Sequence, residues 1–319
     1  MRIACIGAGV IGRSWAFAFA RAGYTVNLYD ADASIANKAM QFIGLSAKAL
    51  EDNGGCDASA TRNSVNMAET LADAVADCGY VQESVEESAQ TKMGIFQKLD
   101  LGAPNEAILA SSTSSIAASG FTADLVGRSR CLVVHPVNPP HLIPLVEICP
   151  TPWTSPGVVE GAASLLRSIG QVPIVIKREV SGFVLNRLQM ALIGEALHLV
   201  GEGVCTSEDV DKVVTHGLGL PWALMGPFAS GHLNSDEGYA AYMRKFRPAM
   251  EAIGRDLKVD YKWTDELLEQ IESELRLRLP SEAISAQQQA RDRVLLALRS
   301  HLDGARPYLT HPKFWIPEC

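Results

Sequence analysis

Arg2-Ile3-Ala4-Cys5-Ile6-Gly7-Ala8-Gly9-Val10-Ile11-Gly12 opens the chain, and its reading decides the fold. Residues 2 to 6 form a short apolar run of strand length. Three glycines follow at Gly-x-Gly-x-x-Gly spacing, and an amphipathic segment then runs to Ala22. A strand, a glycine turn and a helix in that order are the context in which this spacing carries meaning. Gly7 permits the tight turn, Gly9 lets backbone N–H groups approach a pyrophosphate, and Gly12 lets the helix pack closely on the strand. The helix N-terminus then faces the phosphates with its partial positive charge.

A second apolar run, Thr25 to Tyr29, delivers Asp30, eighteen residues after Gly12. A carboxylate there accepts hydrogen bonds from ribose hydroxyls and repels a 2′-phosphate. Positions 31 to 33 are Ala, Asp and Ala, so no arginine follows at once to receive such a phosphate. NAD is therefore expected rather than NADP, with Gly7, Gly9, Val10, Ile11, Gly12 and Asp30 as cofactor-binding candidates. Flavin is the main competitor. Flavin enzymes of this design are usually larger, and no second dinucleotide signature occurs in the chain.

Working outward, further β-rich runs at Ala107 to Ala110, Cys131 to Val134, Leu145 to Cys149 and Val172 to Ile176 alternate with segments of helical spacing. Such alternation implies a doubly wound, mostly parallel sheet, an α/β Rossmann domain. Gly161 to Gly170 reads as a helix leading into the last strand. Beyond it the β pattern stops, and Phe183 to Glu202, Ser207 to His216 and Asp265 to Leu279 read as helices. The expected division is a nucleotide-binding domain over 1–178 and an all-α domain over 179–319, with the boundary in Lys177-Arg178-Glu179.

The 319 residues suit two domains, and 47% apolar with 20% charged residues suits a folded globular chain. A net charge of −8 without a Lys/Arg cluster argues against nucleic acid. No uninterrupted apolar run of about 18 residues exists, so neither a membrane span nor a signal peptide is expected. Seven scattered cysteines without Cys-x-x-Cys or His/Cys ligand spacing point to reduced thiols, a cytoplasmic location and no metal. P-loop, His-Glu-x-x-His and Gly-x-Ser-x-Gly patterns are absent from the sequence.

His135 ends the run Cys131 to Val134, at a strand's carboxyl end, where open α/β sheets bind ligands. A neutral imidazole there either takes a proton from a substrate hydroxyl or simply caps the strand. Glu147, flanked by Val146 and Ile148, either finds a partner such as an imidazole or faces water from an edge strand. The hydroxyl run Ser111 to Ser115 either caps a helix or supplies a hydrogen bond to a reacting oxygen. Asn186 shares a helix face with Met190, Ile193 and Leu197, which predicts an inward amide whose partner is substrate, cofactor, a serine hydroxyl or another helix.

At this point the segments Gly-Val-Ile-Gly-Arg-Ser-Trp-Ala (9–16), Ser-Ser-Thr-Ser (111–114), His-Pro-Val-Asn-Pro-Pro (135–140), Ile-Pro-Leu-Val-Glu (143–147) and Gly-Phe-Val-Leu-Asn-Arg-Leu-Gln (182–189) carry a resemblance. The chain resembles the L-3-hydroxyacyl-CoA dehydrogenase superfamily over nearly its whole length, and within it the lambda-crystallin branch of L-gulonate 3-dehydrogenases. The resemblance implies that His135 is the general base and Glu147 its orienting partner, with Ser114 and Asn186 on the reacting oxygen. It also implies that Glu87 and Lys92 lie along the nicotinamide half of NAD. It further implies a C-terminal domain like that of 6-phosphogluconate dehydrogenase and a homodimer joined through it. The expected reaction is oxidation of a small L-3-hydroxy acid to the 3-oxo acid. An acyl-CoA substrate is disfavoured because Ala47-Lys48-Ala49-Leu50-Glu51-Asp52-Asn53 is acidic where the acyl-CoA enzymes are lysine-rich near the CoA phosphates. L-3-hydroxyacyl-CoA dehydrogenase and L-carnitine dehydrogenase are the rival activities, the second with Trp222 and Tyr239 as candidate walls of an aromatic cage. An NAD-binding structural protein of the crystallin kind is the rival outside enzymology. No function attaches to the C-terminal stretch Pro307 to Cys319.

Overall fold

The computed structural model describes residues 1–51 and 56–310, so Asp52, Asn53 and the last nine residues of the C-terminal stretch lie outside the described residues. The chain divides into two compact units, Met1–Arg187 and Leu188–Cys319.

The first unit is built on one eight-stranded sheet of order β3-β2-β1-β4-β5-β6-β7-β8. Its strands are β1 (Arg2–Ile6), β2 (Thr25–Tyr29), β3 (Val65–Met67), β4 (Tyr80–Glu83), β5 (Ile108–Ser111), β6 (Cys131–Pro136), β7 (Leu145–Pro150) and β8 (Val172–Val175). Pairing is parallel throughout except between β6 and β7. The helices are α1 (Val10–Arg21), α2 (Ala33–Glu51), α3 (Ala58–Asn63), α4 (Leu71–Val75), α5 (Ala89–Gly102), α6 (Ser119–Thr122) and α7 (Pro156–Ser168). Period-two alternation sends successive strand residues to opposite faces. Ile3 and Cys5 accordingly join Trp15, Phe19, Ile43 and Leu166 of α1, α2 and α7 in one core. Ala4 and Ile6 join Val75, Phe96 and Phe121 of α4, α5 and α6 in the other. Both faces are covered, which is the doubly wound arrangement expected. The consequence is that β1, β2, β4, β5 and β6 point their carboxyl ends to one edge of the sheet.

Two strands have no counterpart in the sequence reading. Val65–Met67 is three residues long with Val65 alone buried, and Tyr80–Glu83 carries two fully buried polar side chains, Gln82 and Glu83, in place of an apolar run. The hydroxyl run after β5 also differs from the helix cap that was one of its two readings: residues 112–118 form a loop, and the short α6 begins only at Ser119.

The second unit is helical. It takes α8 (Leu185–Gly201) from Leu188 onward, then α9 (Ser207–Val213), a π-helical turn over Val214–Leu218, α10 (Gly219–Leu224), α11 (Pro227–Leu233), α12 (Tyr239–Asp256), α13 (Asp265–Arg278) and α14 (Ile284–Thr310). Polar contacts organise it locally. Thr206 and Asp209 form a capping box on α9, Thr264 caps α13, and the Ser207 hydroxyl donates to Glu274 of α13 at 2.5 Å. Among its described hydrophobic residues, Val200 and Leu267 alone are buried. The face of α8 read as inward is open in this chain, with Met190 43% and Ile193 37% exposed.

Candidate active site

The glycine loop follows β1 as its spacing requires. Gly7 has φ +92°, a left-handed conformation that costs glycine nothing, and a Cβ there would meet Ser84 O at 2.5 Å. A Cβ on Gly12 would collide with Gly7 O, whereas a Cβ on Gly9 would find open space. The loop is thus closed on its protein side and open where a phosphate approaches. Asp30, past β2, accepts the Ala8 N–H through Oδ2 at 2.7 Å and the Asp32 N–H through Oδ1 at 2.9 Å. These residues fit a dinucleotide: a cradle without side chains at a helix N-terminus, with an anchored carboxylate beside it.

His135 is the penultimate residue of β6, and Glu147 lies on β7 directly opposite it in antiparallel register. Opposed residues of an antiparallel pair share a face, so two side chains twelve positions apart in sequence are brought together. Nδ1 of His135 lies 2.8 Å from Glu147 Oε2, with the two residues 4% and 1% exposed. Glu147 faces no water, and the edge-strand alternative falls. Its second oxygen, Oε1, accepts the N–H groups of Val184 and Leu185 at 2.9 Å each. Burial alone would raise the Glu147 carboxyl, but the hydrogen bonds from His135, Leu185 and Val184 outweigh it and hold it below the ordinary carboxylate value. A carboxylate on Nδ1 leaves Nε2 as the imidazole's acceptor nitrogen.

Ser114 and Asn186 come together by a different contact from the one read in the sequence. The Asn186 amide donates to the main-chain oxygen of Ser114 at 2.8 Å, leaving the exposed Ser114 hydroxyl outside that bond. The loop bearing Ser114 is held by Glu87. Its Oε1 accepts from Thr113 Oγ1 at 2.6 Å, from Ser114 N at 2.9 Å and from Ser115 N at 3.1 Å. Burial raises the Glu87 carboxyl, and the Thr113 bond, Lys92 and these N–H groups reverse the shift to a net lowering. Lys92 is 1% exposed and pairs with Glu83 at 3.0 Å and Glu87 at 3.4 Å. Glu83 also accepts from the Ser111 hydroxyl at 2.5 Å. Burial pushes Glu83 up, an effect that Lys92 and Ser111 partly offset.

Glu83 and Phe183 escaped the sequence reading. A buried Glu-Lys pair nine residues apart has no spacing signature. Phe183 sits at φ +50°, a conformation that costs a non-glycine residue on the order of 1–3 kcal/mol, and sequence alone carries no sign of it. Three buried thiols are not rival nucleophiles: burial pushes those of Cys78, Cys131 and Cys149 up to about 12. Of the candidate cage, Trp222 stands 42% exposed on α10, while Tyr239 packs edge-on against Phe228.

Residues 2–180 match the 3-hydroxyacyl-CoA dehydrogenase NAD-binding domain and residues 182–270 match the C-terminal domain of the same enzymes. The chain belongs to the 3-hydroxyacyl-CoA dehydrogenase family. It is an NAD-dependent oxidoreductase. A human lambda-crystallin homolog is 36% identical over 311 residues, covering 96% of this chain and 97% of that protein. An L-carnitine dehydrogenase of Streptomyces griseus subsp. griseus is 39% identical over 242 residues, covering 76% of this chain and 72% of that protein. Among solved structures, the NAD-dependent 5-formyl-3-hydroxy-2-methylpyridine 4-carboxylic acid 5-dehydrogenase superposes with a TM-score of 0.82 at 29% identity, covering 95% of this chain and 98% of that one.

Proposed function

We propose that this family member oxidises a free L-3-hydroxy acid to the 3-oxo acid, in the manner of an L-gulonate 3-dehydrogenase. The observation that carries the reading is the buried His135–Glu147 pair at the carboxyl edge of the sheet, with Nε2 left to accept a proton. As the C3 hydroxyl loses its proton to His135 Nε2, the C3–H electron pair leaves as hydride and the carbonyl forms. NAD supplies the hydride acceptor. Glu147 holds the imidazole by Nδ1 and compensates the charge that develops on it. Ser114 and Asn186 hydrogen-bond the reacting oxygen. Gly7, Gly9, Val10, Ile11, Gly12 and Asp30 would hold the adenosine and pyrophosphate half of NAD, and Glu87 and Lys92 would serve its nicotinamide half.

The choice of a free acid over a CoA thioester is supported by α2, where Lys48 is tied to Glu51 at 2.9 Å and no lysine cluster awaits CoA phosphates. It is supported as well by the superposed dehydrogenase, whose substrate is a free carboxylic acid. We assign residues 1–178 to NAD binding and 179–319 to substrate binding and dimerisation. The exposed apolar side chains of the helical unit, Leu220, Trp222 and Phe228 among them, support a homodimer. The free cysteines support a reducing, cytoplasmic setting.

The test is NADH formation at 340 nm with L-gulonate, L-3-hydroxybutyrate, L-carnitine and L-3-hydroxybutyryl-CoA at matched concentrations. Turnover of L-gulonate or another free hydroxy acid above the thioester is expected. Preference for the thioester would overturn the substrate reading and leave the base and cofactor assignments standing.

A further inference from the structure

We propose that Phe183 is a positioning residue that holds the His135 imidazole and the Asn186 amide in one fixed relation. The inference rests on His135 being the base. Gly182 and Phe183 are consecutive left-handed residues, with φ of +72° and +50°. That reversal turns the Val184 and Leu185 N–H groups onto Glu147 Oε1, whose partner oxygen holds His135. One residue further along α8, Asn186 reaches the Ser114 loop.

The choice of phenylalanine is the decisive point. The backbone at position 183 favours glycine or asparagine, and a bulky apolar side chain there is disfavoured. Some contact of the ring must repay that, and two are present. The ring is 0% exposed and belongs to the core with Val133, Cys149 and Phe121. Its centroid lies 5.4 Å from the imidazole centroid, with the planes tilted by 43°. The imidazole is therefore held through Nδ1 by Glu147 and packed against the tilted ring of Phe183, and both supports meet at the start of α8.

The test compares the wild type with Phe183→Leu, taking His135→Gln as the control for the base. Phe183→Leu should lower kcat by on the order of 10²-fold, as misplacements of about 1 Å do. KM for the hydroxy acid and the Kd of NADH should stay within about threefold of wild type. The downfield proton resonance of His135 Nδ1–H in water should broaden or move, which a packing role remote from the imidazole would not cause. A folded variant in which either kcat or that resonance is unchanged overturns the inference. If the leucine variant does not fold, Phe183→Met fills nearly the same space and is read the same way. Full turnover in His135→Gln would overturn the base and this inference together. Loss in His135→Gln with full turnover in Phe183→Leu overturns this inference alone.

Discussion

Nδ1 of His135 lies 2.8 Å from Oε2 of Glu147, and both residues are buried. A neutral carboxamide in place of Glu147 would keep the shape and remove the charge that stabilises a protonated imidazole. Glu147→Gln should lower kcat about 10²- to 10⁴-fold while NADH affinity, set at the glycine loop, changes little. Stopped-flow turnover beside a fluorescence titration of NADH separates the two. Equal loss in both would place Glu147 in general folding rather than in the chemistry.

The same carboxylate makes a statement about acid stability. The Glu147 carboxyl is held below its ordinary value of 4.5 in the folded chain, so its contribution is fully present above about pH 4.5. It is lost as pH falls through the lower folded value. Urea unfolding of wild type and Glu147→Gln should therefore differ most near neutrality, and the gap should narrow below about pH 4.5. Glu87, lowered in the same direction, predicts the same trend for Glu87→Gln. A gap that widened with acid would contradict both assignments.

Asp30 braces the Ala8 N–H, and the proposed function gives it a second task, facing the ribose of NAD. Replacing it with serine removes the charge that repels a 2′-phosphate and weakens the brace. Asp30→Ser should raise the Kd of NADH about tenfold, equivalent to about 1.4 kcal/mol, and should move the NADH/NADPH affinity ratio toward NADPH. Titration with each coenzyme measures both. An unchanged ratio would mean that Asp30 serves the loop alone.

What the sequence disclosed and what it hid have physical causes. The β1–Gly–α1–β2–Asp30 series was legible because each step obeys a local rule, a two-residue period, a left-handed glycine or a helix start. His135 was legible as a polar residue closing an apolar strand. Its partner was legible only as a charge needing one, since register decides the pairing and Glu147↔His135 is a long-range fact. β4 was hidden because Gln82 and Glu83 are buried through partners, Ser112 and Lys92, that spacing does not announce. Asn186 lies on the helix that its spacing predicts, but the face it shares with Met190 and Ile193 is exposed and a main-chain oxygen satisfies its amide instead of a hydroxyl. In the second unit α12 is strongly amphipathic, yet α10, α12 and α14 bury no described residue, so the apolar face that periodicity marks meets no core among the described residues, which is the weakness of this unit.

That weakness leads to the last prediction. A helical unit that buries Val200 and Leu267 alone among its described hydrophobics, while Leu220 is 62%, Phe228 72% and Leu233 68% exposed, lacks a core of its own size. Exposed apolar surface of this kind is what a second copy covers in an obligate dimer. The full chain should therefore sediment as a dimer at micromolar concentration. The double variant Leu220→Asp/Phe228→Asp, which puts desolvated charge into such an interface, should sediment as a monomer with a lowered melting temperature. NADH affinity should persist, because the glycine loop and Asp30 belong to the other unit. A wild-type chain that remains monomeric at these concentrations would refute the dimer and leave the exposed helical surface to another partner.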